Sequence, residues 1–178
     1  MKKLTLLILL FIVCPLAFAD SNDPSLMPLP KIEKMSGERY RILGDFNCDG
    51  IEDMALSVDI SLFGNAGGDF DIYLRDNKDN LRKYASIFLH LKAIAIEKIG
   101  ENVRLWAYRR SGGWIGDIGY YEVKAEGLSD YKSITIHPGD SGTEMGNAIY
   151  EAVFKNSAVE FRVEKSKTVN GAVNWIKL

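Results

Sequence analysis

Apolar and polar residues alternate along most of the chain after residue 39. In residues 54–60 every second side chain is a large apolar one, and in residues 69–75 Phe70, Ile72 and Leu74 alternate with polar or aromatic neighbours. The same period of two recurs at residues 103–107, 121–123, 134–136 and 161–163. A period of two is typical of strands with one buried face. The pattern therefore predicts a mostly β protein.

Residue types that favour turns separate these apolar runs. They lie at residues 65–68, 76–80, 100–102 and 138–140, and Asn170-Gly171 gives the strongest hairpin signal. Residues 81–98 fit either a helix or strands, and we favour strands with room for a short helical turn. About nine or ten short strands at this spacing predict an antiparallel sandwich or a partly closed, barrel-like sheet.

The first nineteen residues have the layout of a secretory signal peptide. Two lysines precede an apolar stretch at 6–16, and an A-x-A cleavage site follows at 17–19. Neither this stretch nor a later one reaches the ~18 apolar residues that a membrane span needs. A lipoprotein signal ending at Cys14 is the alternative, but Val13 is larger than the residue that such processing prefers. We therefore expect a periplasmic or secreted protein.

The remaining chain has the size of one domain. Removal of residues 1–19 from the 178-residue chain leaves 159 residues and changes the formal net charge from −2 to −4. Proline-containing residues 20–38 are predicted to form an extended lead-in, and residues 39–178 a single β domain. Neither charge sign clusters, which argues against a nucleic-acid partner. Cys48 is then the only cysteine, so no internal disulfide is expected.

Residues 45–53 carry side-chain oxygens at positions one, three, five and nine of a short loop. These positions are Asp45, Asn47, Asp49 and Asp53. Calcium is a hard cation that takes six to eight oxygens, and Gly50 permits the sharp turn that wrapping around an ion requires. The carbonyl of Ile51, at position seven, would be a further ligand. The pattern predicts a calcium loop, with a solvated turn that holds no ion as the alternative.

The loop differs from an EF-hand and resembles another calcium motif. An EF-hand has Glu at position twelve between two helices, whereas Leu56 stands here and both flanks are strand-like. Residues 43–56, Leu-Gly-Asp-Phe-Asn-Cys-Asp-Gly-Ile-Glu-Asp-Met-Ala-Leu, resemble the calcium hairpin of FG-GAP and VCBS-type repeats. The resemblance implies that the four side chains and the Ile51 carbonyl hold calcium at a strand-turn-strand junction.

The chain departs from these repeats in two respects. Cys48 occupies a position where the repeats usually have glycine, and the loop occurs once, whereas a propeller needs several blades. The implied loop therefore carries over, but the propeller architecture does not. The layout also resembles small exported bacterial proteins with one such loop ahead of a compact β domain, and that resemblance implies no activity.

A glycine-rich segment at residues 108–121 is the candidate partner surface. It presents side chains of the types that dominate interface hot spots, Arg109, Arg110, Trp114 and Tyr120. The alternative is an ordinary long hairpin whose Trp114 packs on the core.

Evidence for catalysis is weak. The sequence Gly-Asp-Ser-Gly at 139–142 matches the tetrapeptide around the nucleophile of trypsin-like proteases, and His137 precedes Ser141 by four residues. The other elements of such a protease are missing, and the chain is too short for its two barrels. A reactive Cys48 would lack a histidine partner in its sequence context. We assign no catalytic residue.

These observations favour a non-enzymatic β domain with one structural calcium ion, which acts outside the cytoplasm through contacts with an unidentified protein or glycan. A small envelope-directed hydrolase, or a hydrolase inhibitor of the immunity type, is the alternative. A nucleic-acid partner and a membrane span are not expected. The sequence makes no prediction of the oligomeric state.

Overall fold

Strands make up most of the molecule. The computed structural model describes residues 37–64, 67–110, 116–136, 148–170 and 172–178, without the side chains of Arg110 and Ile136. Within these ranges it has eleven strands: β1 (Tyr40–Gly44), β2 (Asp53–Ser57), β3 (Gly68–Arg75), β4 (Leu81–Leu89), β5 (Ile94–Ile99), β6 (Asn102–Arg110), β7 (Gly116–Lys124), β8 (Gly127–Leu128), β9 (Lys132–Ile136), β10 (Arg162–Val169) and β11 (Ala172–Lys177).

The strands form two antiparallel sheets. The first has the order β11-β10-β1-β2-β3-β4, and the second has the order β5-β6-β7-β8 with β9 also paired to β7. Neither sheet closes into a barrel. The predicted antiparallel β class is confirmed, in the form of a sandwich. The number of strands is slightly higher than expected.

The main core lies between the two sheets. Ile42, Phe70 and Ile72 from the first sheet join Ile96 and Leu105 from the second in one buried cluster. A smaller buried cluster gathers Leu43, Met54, Leu56 and Tyr73. Because successive side chains of a strand point to opposite faces, the smaller cluster belongs to the other face of the first sheet. This outer face of the first sheet thus carries apolar side chains beside charged ones such as Arg41 and Glu164.

Strand β2 shows why the alternation is only a partial guide. All five of its residues are buried, with Ala55 in the main core and Met54 and Leu56 in the smaller cluster. The alternation continues to Ile60, but the strand ends at Ser57. A 3-10 turn at Ile60–Leu62 follows, because the side chain of Asp59 accepts the Ser61 N–H at 2.9 Å.

Two further predictions from the sequence are confirmed. Residues 81–98 form β4 and β5 with a tight turn between them, in which the Ala93 N–H donates to the His90 carbonyl at 2.9 Å. Strands β10 and β11 form the expected hairpin, in which Val169 pairs with Ala172. Asn170 has φ 53°, the left-handed conformation that a two-residue hairpin loop needs.

One helix was not predicted. Residues 148–154 are helical, and the Tyr150 hydroxyl donates to the Lys92 carbonyl at 2.9 Å. The rings of Tyr150 and Phe154, four residues apart, lie 4.8 Å from each other. The seven described helical residues offer too few turns of periodicity to be told from a strand.

The predicted signal peptide (1–19), most of the lead-in (20–38) and the turn at 138–140 lie outside the described residues. In the described part of the chain, no helix has the length and apolar character needed to cross a membrane.

Two leucine substitutions test the position of the core. Leu105 is completely buried, whereas Leu62 in the 3-10 turn is 74% exposed. We expect Leu105→Ala to lower the free energy of unfolding by about 2–5 kcal/mol, because it leaves a cavity between the sheets. Leu62→Ala should change it by less than about 0.5 kcal/mol. Urea denaturation measures both values, and equal losses would contradict this assignment of the core.

Candidate metal site

The loop of residues 45–52 connects β1 to β2 and contains two residues in the left-handed backbone region. These are Gly50, with φ 89°, and Cys48, with φ 58°. Glycine adopts this conformation without strain, whereas a residue with a side chain does so at a cost of about 1–2 kcal/mol. The glycine usually found at the Cys48 position in the resembling repeats therefore has a physical reason, and this chain adopts the same turn at some cost.

Backbone N–H groups turn three oxygen-bearing side chains into the loop. The Asp49 N–H lies 3.1 Å from Oδ1 of Asp45 and 3.2 Å from Oδ1 of Asn47. The Gly50 N–H donates to the other Asp45 oxygen at 2.8 Å. The Asp49 carboxylate accepts from the Ile51 N–H and from the Asn47 amide, both at 2.8 Å. Side chains one, three and five of the predicted ligand set are thus brought together.

Asp53 has a different environment. It is the first residue of β2 and is completely buried. Its Oδ2 accepts the Phe46 N–H at 2.9 Å, and its Oδ1 accepts the Arg75 N–H at 2.8 Å. Burial, with smaller contributions from Asp49 and Asp45, raises the pKa of Asp53 to about 7 against the lowering effect of the two N–H donors. This carboxylate joins the loop to β3.

Other contacts attach the loop to both sheets. The Arg75 Nε donates to the Glu52 carbonyl at 2.9 Å, and the Glu52 carboxylate lies 3.3 Å from an Arg162 guanidinium nitrogen. From the second sheet, the Lys98 ammonium donates to the Cys48 carbonyl at 3.3 Å. The loop is therefore positioned by β3, by β10 and by β5.

The donor set suits a hard cation. Two carboxylates and one amide oxygen face the loop, and oxygen ligands of this kind are those that calcium prefers. Among the described residues, no three His, Cys, Asp or Glu side chains come together as a metal-binding group. The two oxygens of Asp53 accept backbone N–H groups, from Phe46 and from Arg75. Each of these oxygens keeps one further lone pair.

Cys48 does not have the features of a reactive thiol. Its side chain is half-buried and packs against the main core. Burial raises the pKa of the Cys48 thiol, and Asp45 adds to this effect against the opposing effect of Lys98. A raised pKa lowers the fraction of nucleophilic thiolate.

The predicted partner-surface residues do not share one face. In strand β6 the Arg109 guanidinium binds the Tyr121 hydroxyl and lies 4.2 Å from the centre of the Tyr131 ring. Tyr120 is adjacent to Tyr121 in β7, so its side chain points to the opposite face of the second sheet. The Arg110 side chain and Trp114 lie outside the described residues.

Tyr120 belongs to a cluster that the sequence analysis missed. Its ring centre lies 4.9 Å from that of Trp106, and the Arg104 guanidinium lies 4.6 Å from the ring. The Trp106 Nε1 donates to Oε2 of Glu97 at 3.1 Å, and this oxygen also accepts from Arg104 at 3.1 Å. The signal was present in the sequence, because Arg104 and Trp106 are two positions apart on one strand.

The protease-like residues His137 and Ser141 lie outside the described residues. The other histidine, His90, lies in the turn before β5, and its Nδ1 accepts the Lys92 N–H at 3.3 Å. Its ring contacts the Tyr108 ring with centres 6.0 Å apart. These contacts explain its conformation without a catalytic role.

No protein-family model matches the chain, and no curated protein and no solved structure matches it at a significant level. The interpretation of the site therefore depends on the geometry of the loop and on the resemblance of residues 43–56 to calcium hairpins.

Replacement of Asp53 by Asn tests its role as a double acceptor. An amide accepts through one atom only, so one buried backbone N–H would lose its partner. We expect Asp53→Asn to lower the free energy of unfolding by about 1–3 kcal/mol, measured with excess chelator at about pH 8. Asp69→Asn, at an exposed position of β3, is the matched control and should have little effect. Equal stability of the two variants would contradict this role.

Proposed function

We propose that this chain is an exported, non-enzymatic β domain whose loop at residues 45–53 binds calcium as a structural ion. One observation carries the proposal: the Asp49 N–H lies within hydrogen-bonding distance of both the Asp45 and the Asn47 side-chain oxygens. Three oxygen-bearing side chains are thereby gathered within one turn. Such preorganisation lowers the entropic cost of binding an ion.

The attachments of the loop support a structural role for the ion. Asp53 connects the loop to β3, Glu52 connects it to Arg162, and Lys98 connects it to the second sheet. A cation that binds only the folded loop stabilises the fold by mass action. Extracellular calcium modules bind at about 10⁻⁴–10⁻³ M, which matches the calcium supply outside a cell. This agrees with the signal-peptide layout of residues 1–19.

We further propose that the domain acts through contacts with a protein or a glycan, at the face that carries Arg104, Trp106 and Tyr120. Outer faces of sandwich sheets are usually polar, whereas this one presents two partly exposed aromatic rings. Their positions are fixed by the hydrogen bond from Trp106 to Glu97 and by the Arg104 guanidinium. Trp, Tyr and Arg are the side chains that contribute most to binding at interfaces.

Calcium titration tests the metal site. We expect about 10 mM calcium to raise the melting temperature by about 3–10 °C relative to chelator, from the mass-action term for a site of this affinity. Asp45→Ala and Asp49→Ala should abolish this shift, because each removes a charged ligand. Differential scanning calorimetry, with titration calorimetry for binding, measures both effects.

Asp59→Ala is the matched control for these variants. Asp59 also accepts a backbone N–H, from Ser61 at 2.9 Å, but it lies beyond the end of β2 that is opposite to the loop. This variant should lose about 1 kcal/mol of stability, as a lost cap does, and keep the full calcium shift. A melting temperature of the unmodified protein that ignores calcium would favour the solvated turn instead.

The contact face has its own test. We expect Trp106→Ala to reduce retention of an envelope protein or of an arrayed glycan by at least about tenfold, as truncation of a hot-spot aromatic does. Leu62→Ala, at an exposed apolar position in the 3-10 turn after β2, should leave retention unchanged. Equal retention by the two variants would exclude this face as the contact surface. Comparing retention of the envelope protein with retention of the glycan distinguishes the class of partner.

A further inference from the structure

The C-terminal hairpin of β10 and β11 is attached to the first sheet through one strand. Strand β11 is the edge, β10 pairs with β11 on one side and with β1 on the other, and β1 continues directly into the loop at Asp45. Among the described residues, the hairpin is thus held in the sheet by β1, the strand that leads into the loop.

Apolar contacts connect the loop to the residue that precedes β10. The rings of Phe46 and Phe161 have their centres 5.1 Å apart, and Phe46 is almost completely buried. Phe161 also packs directly on the backbone of Gly44, where an added Cβ would lie 2.4 Å from the ring. The start of the hairpin thus rests on the loop.

A chain of charged groups extends this connection across the hairpin. Glu52 lies 3.3 Å from Arg162, and the Arg162 Nε lies 3.1 Å from one oxygen of Glu164. The other Glu164 oxygen lies 2.5 Å from the Arg41 Nε, and the Arg41 guanidinium lies 4.3 Å from the centre of the Trp175 ring. Glu164 is only 9% exposed, so solvent screens its pairs with Arg41 and Arg162 less than it screens the pair of Arg162 with the half-exposed Glu52.

We propose that occupancy of the calcium loop controls the attachment of the C-terminal hairpin, an inference that rests on the calcium binding proposed above. Without a cation, repulsion between the Asp45 and Asp49 carboxylates opposes the backbone N–H groups that gather them, and it raises the population of an opened loop. An opened loop displaces Phe46 and Glu52, whose side chains hold the start of β10. The hairpin then separates from β1 while β2, β3 and β4 stay paired. A bound cation closes the loop and fixes the hairpin.

Hydrogen exchange measured by mass spectrometry on the full chain tests this proposal. In chelator, we expect the β10 amides paired with β1 to exchange at least about tenfold faster than the β3 amides paired with β2, because the hairpin opens locally. Calcium at about 10 mM should slow the β10 amides by about ten- to a hundredfold, the factor expected for a site of 10⁻⁴–10⁻³ M, and remove the difference.

Arg162 variants test the route of the coupling. Arg162→Gln removes the link between Glu52 and Glu164, so calcium should protect the hairpin at least about threefold less. Because coupling between two sites is reciprocal, calorimetry should still show one bound calcium ion, at an affinity lower by a similar factor. Arg162→Lys keeps the charge and should restore part of the protection. Lys165→Gln is the matched control, because Lys165 lies on the same strand and pairs with Glu38 at 2.7 Å instead of with the loop.

The outcomes separate this inference from the function on which it rests. Absence of calcium binding in calorimetry would overturn both. Calcium binding with an unchanged ratio of β10 to β3 exchange would overturn the inference and leave the calcium site in place. Full calcium protection of the hairpin in Arg162→Gln would overturn the charged route.

Discussion

The carboxylate of Asp53 is the group on which the arrangement of the first sheet depends. It is a completely buried acid, and an acid in such a place is tolerated only with hydrogen-bond donors on its oxygens. The two donors come from different parts of the chain, Phe46 in the loop and Arg75 at the end of β3. One side chain thus fixes the path of the β1–β2 turn and the position of the neighbouring strand. Its raised pKa is the consequence of that burial.

The outer faces of the two sheets differ in composition. The outer face of the first sheet combines the small apolar cluster of Met54 and Leu56 with the charged pair of Arg41 and Glu164. The second sheet presents aromatic and charged groups, including Trp106 and Tyr120, on its outer face. The proposed calcium loop extends from the first sheet, and the proposed contact face lies on the second. The two sheets are connected by the shared core and by the contact of Lys98 with the loop.

Local features of the molecule were predictable from the sequence, and long-range ones were not. Period-two runs identified the strands, and Asn170 identified the C-terminal hairpin, because both signals come from residues that are close together in the sequence. The turn of residues 45–52 between two strands was predictable for the same reason, and its calcium binding stays a prediction. The double acceptor role of Asp53 was not predictable, because one donor lies twenty-two positions away at Arg75. The separation of Arg109 from Tyr120 follows from strand parity, but only after the register of β6 and β7 is known.

The pairing of β1 with β10 also governs the order in which the chain can fold. The N–H of Arg39, next to β1, donates to the hydroxyl of Ser166, which lies 127 positions later. Contacts of such sequence separation form slowly, because a long loop must close before they contribute. While β10 is absent, β1 exposes one row of unpaired backbone groups. Strand β1 therefore stays open on one side until β10 has joined it, and the first sheet is completed late in folding.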